Sequence, residues 1–110
     1  MRHQHVAIVQ TKRFMDKIQK FDLMEKIVHE LEDLKNSQTA VIKKLGKIEV
    51  DNIELGDKRL DTDLPEMHQL VSNNLDTIAG ILEYFAEQTE TYNNKNNIAA
   101  LKEQDIIDKL

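Results

Sequence analysis

The sequence predicts an all-α fold, a long helical hairpin or coiled-coil-like bundle closed by a short C-terminal helix, with a small β-hairpin or turn at 46–56. Two apolar stripes and a shortage of helix breakers carry that expectation. From Met24 to Leu55 an apolar residue falls every three or four places, at Met24, Ile27, Leu31, Leu34, Val41, Leu45, Ile48 and Leu55, with Gln38 and Asn52 filling two slots. A second stripe runs Met67, Val71, Leu75, Ile78, Leu82, Phe85 and Tyr92, broadened by Leu70 and Ile81, which is wide enough to meet more than one neighbour. Three glycines and one proline in 110 residues leave long runs uninterrupted. With three Phe, two Tyr and no Trp, the core must be aliphatic, which argues against a compact β-sandwich.

The expected organisation is a single helical domain: an N-terminal segment at 1–11, a first helix at 12–45, a turn or hairpin and loop at 46–63, a second helix at 64–92 and a third at 97–109. Thr11 is the candidate cap of the first helix, and Phe14, Ile18 and Phe21 extend its apolar face upstream. Between Phe21 and Met24 the step is three where four was due, so the seam drifts there. The segment Gly46–Gly56 supports two readings. Ile48 and Val50 alternating with charges, Asp51-Asn52 as a two-residue turn, and Ile53 and Leu55 returning on the same face make a short hairpin. Continuous helix, with Asn52 as a polar seam residue, is the other reading, at a cost of about 1 kcal/mol for each of the two glycines. The hairpin is slightly favoured.

Asp63-Leu64-Pro65-Glu66 has the form of a helix start, with an Asp cap, Pro in the first turn and a Glu placed to return the hydrogen bond. Asn93–Asn97 reads as a loop whose last residue caps the final helix. That helix presents Ile98, Leu101, Ile106, Ile107 and Leu110, and it is short enough that it must dock.

Several chemistries are excluded or disfavoured. The absence of cysteine removes disulfides, zinc–thiolate sites and thiol nucleophiles. The glycines are scattered, so no phosphate-cradling loop is present, and there is no nucleophile elbow. His3 and His5 lack a third ligand nearby, and His29 and His68 belong to no helical metal motif. Glu30 with Asp33 and Glu87 with Glu90 have carboxylate spacings that are common by chance in a highly charged chain. No catalytic residue, cofactor or metal is therefore assigned, and an enzyme is not expected. The longest apolar run near the N-terminus, Val6–Val9, is too short for a secretory or membrane segment, so a soluble, cytoplasmic protein is expected.

Charge is unevenly distributed. Residues 1–47 hold ten Lys/Arg against six Asp/Glu, a net of +4, whereas residues 48–110 hold five against fourteen, a net of −9. The expected function is a non-enzymatic, homo-oligomeric interaction protein (an adaptor, assembly factor or inhibitor) that docks helices on a protein partner. Its candidate interface is Met24, Ile27, Leu31, Leu34, Gln38, Val41, Leu45, Val71, Leu75, Ile78, Leu82 and Phe85. A second reading makes the acidic residues Asp61, Asp63, Glu66, Asp76, Glu83, Glu87 and Glu90 a partner face that mimics nucleic acid and blocks a nucleic-acid-binding enzyme. A third, weaker one binds nucleic acid directly through Lys12, Arg13, Lys17 and Lys20, against the interleaved acids and the acidic total.

Overall fold

Three α-helices form the computed structural model, which describes residues 16–110: α1 Lys17–Leu55, α2 Lys58–Asn96 and α3 Ile98–Asp108. No strand occurs among the described residues. Helix α1 opens at a reciprocal cap. The Asp16 carboxylate accepts the Gln19 N–H at 2.7 Å, and the Gln19 side-chain oxygen accepts the Asp16 N–H at 3.3 Å, which satisfies donors that a first turn leaves open. The cap expected at Thr11, together with Phe14, lies outside the described residues.

Helix α1 then continues through Gly46 to Leu55, so the small hairpin expected at 46–56 does not form. Leu45, Glu49 and Asn52 explain why. They follow one another at steps of four and three on the inward side of α1, and a strand would pull Asn52 out of that row. An isolated hairpin would also leave two open edges in water. A Cβ built on Gly46 meets nothing within 4 Å, so its glycine is a tolerated helical residue rather than a punctuation mark.

The turn falls at Gly56 and Asp57. Gly56 adopts a left-handed φ of 69°, and its N–H donates to the Asn52 carbonyl at 2.7 Å, a C-terminal closure that glycine makes without a Cβ penalty. Asp57 caps α2 by accepting the Leu60 N–H at 2.9 Å. Helix α2 therefore begins six residues before the expected Leu64, and Pro65 sits inside it instead of in its first turn. The capped start at Asp57 outweighs the interior proline, because the added residues 58–63 lay half-buried Leu60 on the hairpin and bring Asp61 to Asn52.

The chain divides into two compact units. In the larger, Val28–Phe85, α1 and α2 run antiparallel and pack through one row each, with Leu45 and Asn52 buried. The smaller unit joins the described residues up to Ile27, from Asp16, with Ala86–Leu110. Here Ile98 is buried, Phe21 and Thr89 are nearly so, and the Lys102 ammonium lies 5.2 Å from the Phe21 ring centroid while bridging Asp22 at 3.1 Å. On the other side Lys20 lies 5.0 Å from the Tyr92 ring.

Asn93–Asn96, expected as loop, complete α2, and Asn97 alone separates it from α3. Asn97 takes a left-handed conformation, φ 49° and ψ 57°, which Asn tolerates better than most residues. It stands at the cap position as expected, but its side chain makes no capping bond; its carbonyl accepts the Leu101 N–H.

Candidate interaction face

Burial along α1 identifies which apolar residues meet α2. The covered row is Phe21, Met24, Val28, Leu31, Gln38, Ile42, Leu45, Glu49 and Asn52, with exposed Lys35 in the slot between Leu31 and Gln38. Its steps alternate three and four, so with Phe21 as position a, Met24, Leu31, Gln38, Leu45 and Asn52 take d. The expected seam splits. Met24, Leu31, Gln38 and Leu45 lie in the covered row, whereas Ile27, Leu34, Val41, Ile48 and Leu55, also seven apart, take g and are exposed. On α2, Val71, Leu75, Ile78, Leu82 and Phe85 are all half-buried and belong to the covered row, with Leu64 and His68 ahead of them.

Val28 and Ile42 fall outside the expected seam, because Lys35 and Glu49 share their register and make it less apolar than the Ile27–Leu55 register. The spacing of Phe21 to Met24 was the available signal, since it belongs to the covered row and not to a drift. What makes a polar seam acceptable is partnering. Glu49 meets His68 across the hairpin at 2.7 Å, with both side chains about one-third exposed. Asn52 donates to the Asp57 carbonyl at 3.2 Å and to the Asp61 carboxylate at 2.7 Å, while its own side-chain oxygen accepts the Asp57 N–H at 3.0 Å. Among the described residues no buried side-chain polar atom lacks a partner.

The g positions have a geometric consequence. When two helices pair antiparallel through a and d, reversing one of them brings g beside g along one edge of the pair. On α2, Met67, Asn74 and Ile81 take g, counted from His68 as a. The Glu49–His68 bridge sets the register, placing Ile48 within a turn of Met67's level and Leu34 within a turn of Ile81's. Leu34, Val41, Ile48, Leu55, Met67 and Ile81 therefore flank the same edge of the Val28–Phe85 hairpin, and Leu70 and Tyr84 stand beside that edge at c. All eight are exposed, and no g position from Leu34 to Ile81 carries a charge.

The acidic residues separate as well. Glu66, Asp76, Glu83, Glu87 and Glu90 take b and f, on the outward side of α2, and are exposed. Asp61 instead falls in the seam register and is engaged by Asn52, and Asp63 pairs with Arg59 at 2.9 Å. Lys17 and Lys20 are exposed, while Lys12, Arg13, His3 and His5 lie outside the described residues. His29 pairs with Glu32 at 3.0 Å. Among the described residues no group of three His, Cys, Asp or Glu side chains converges as metal ligands would. No described helix is long and apolar enough to cross a membrane. Comparison with protein-family models, curated proteins and solved structures returns no match.

Proposed function

We propose that this chain is a non-enzymatic protein-interaction protein of the cytoplasm that works by helix–helix docking, as an adaptor, assembly factor or inhibitor. The observation that supports it is the row of uncharged g positions on the Val28–Phe85 hairpin, left open after the a and d rows have paired within the chain. A two-stranded helical pair needs only a and d to be apolar and ordinarily places charges at g. A largely apolar g row beside the paired a and d rows on both helices instead matches helices that sit in a bundle, where three positions per heptad face neighbours. Docking on this edge removes apolar surface from water, which drives association without chemistry.

The nucleic-acid-mimicking alternative has less support. Five outward carboxylates from Glu66 to Glu90 span roughly 36 Å of helix at 1.5 Å per residue. A duplex carries on the order of twenty phosphates over that length, at one charge per ~1.7 Å.

Site-specific photo-crosslinking in cells tests the docking reading. A photoreactive residue at Val41 or Ile48 should give discrete protein adducts, and the same residue at outward Asp33 or Lys47 should not. Adducts from neither position on the edge, in chains that fold, would refute it.

A further inference from the structure

We infer that the occupant of this edge is a second copy of the chain, so that two Val28–Phe85 hairpins join face to face as a four-helix bundle. The inference rests on the docking reading above and names its partner.

Area is the first argument. Leu34, Val41, Ile48, Leu55, Met67 and Ile81 are 37% to 74% exposed, Val41 and Ile48 least and Leu55 most. Leu70 and Tyr84 are 60% and 61% exposed. At roughly 200 Å² for a large residue laid bare, the eight offer about 800 Å² on one chain. That is more than the few hundred Å² of contiguous apolar surface a monomer ordinarily leaves in water. Doubled by a second copy it reaches about 1,600 Å², the size of a standard stable interface.

Shape and pattern are the second. The hairpin already consists of two antiparallel helices, each with an apolar g row beside its paired a and d seam, and a bundle built on that pattern needs two more helices of the same kind. A second copy supplies them at matched length, through the same patch on both subunits, and a two-fold axis closes the assembly. The edge is also free of charge at every g position from Leu34 to Ile81, so two copies meet there without facing like charges in those rows. Asn74 is the single polar g residue between Leu60 and Ile81, level with Val41, and it marks the middle of the face.

The decisive experiment is absolute mass of the full chain by light scattering, over a dilution series from roughly 100 to 1 µM, the range in which an interface of this area is populated. The expected mass is twice the 12.8 kDa of one chain. Val41→Glu with Ile48→Glu should return it to the mass of one chain while the far-ultraviolet helical signal is kept, because both side chains are outside the intrachain seam. Asp33→Glu, on the outward side, should leave the mass doubled. The chain contains no cysteine, so Val41→Cys gives an independent readout that does not depend on a disruptive change: it should form a disulfide-linked pair under mild oxidation, and Lys47→Cys should not. A monomer throughout the series overturns the inference, as does a dimer that survives Val41→Glu with Ile48→Glu. Photo-adducts from Val41 or Ile48 to a different protein, with a monomeric chain, overturn the second copy and leave helix docking standing. Adducts to nothing overturn both.

Discussion

Asn52 is nearly inaccessible, at 4% exposure, and holds the end of the hairpin by three hydrogen bonds. Replacing it with alanine removes all three. The bond to the Asp61 carboxylate is charge-assisted, about 1.5–3 kcal/mol, and the two involving the Asp57 backbone contribute about 1 kcal/mol each. Part of this is recovered, because Asp57 and Asp61 are exposed and water can solvate what Asn52 leaves behind. The expected net loss is therefore about 2–3 kcal/mol, a large share of the ~5–15 kcal/mol that holds a domain of this size. Urea unfolding followed by helical circular dichroism, at one fixed protein concentration, should show the midpoint falling by roughly 1–2 M. Asn52→Asp sharpens the test. It keeps an acceptor for the Asp57 N–H but turns the donor facing Asp61 into a second carboxylate. At neutral pH it should cost at least as much as alanine. The introduced group, destabilised as an anion by Asp61, holds its proton to higher pH in the folded chain than in the unfolded one. Its penalty is thus absent below the ordinary carboxylate range near 4 and grows as pH rises through and above it. A double-mutant cycle with Asp61→Ala should show coupling of about 1 kcal/mol or more. An alanine variant within about 0.5 kcal/mol of the parent, or an aspartate variant as stable as the parent at pH 7, would refute the account of the hairpin end.

Glycine substitutions should differ in sign by position. Gly46→Ala and Gly80→Ala, both helical with open space at the built Cβ, should each raise stability by about 0.5–1 kcal/mol in thermal unfolding. Gly56→Ala and Asn97→Ala should each lower it by about 1 kcal/mol, since alanine is strained at their left-handed backbone angles, and Asn97→Gly should not. Pro65→Ala restores an N–H to the interior of α2, opposite the Asp61 carbonyl, and should stabilise the chain by about 1–3 kcal/mol by the same measurement. An unchanged or lower midpoint would mean that the proline ring packs usefully beside Leu64.

The helical class was legible because it depends on local features. Long runs without Gly or Pro, and apolar residues at steps of three and four, favour helix whatever they pack against. The ends were harder. Asp63-Leu64-Pro65-Glu66 has every local mark of a start, yet Asp57 competes successfully because a helix that begins there also covers more of the hairpin. Asn93–Asn97 looked like a loop by composition, and only Asn97 departs from helix, since docked Ile98 and the neighbouring turns hold the other asparagines in place. The candidate face was legible in part: many apolar residues of both helices stood out by their spacing, but not Val28, Ile42, Leu64 or Tyr84, and not which of two overlapping rows on α1 would be covered.

Sequence alone determined that this chain is helical and that it reverses direction somewhere within 46–63. Tertiary structure decided the phase of the helices. Two registers share Met24, Leu31, Gln38, Leu45 and Asn52, and the more apolar one, through Ile27, Leu34, Val41 and Ile48, is the one left outside. The inward register carries Glu49 and Asn52, and their partners are set by the fold: His68 comes from the opposite helix, and Asp57 and Asp61 meet Asn52 only once the chain has turned at Gly56. Polar seam residues cost free energy until such partners arrive, and no pattern along one helix reveals whether they will.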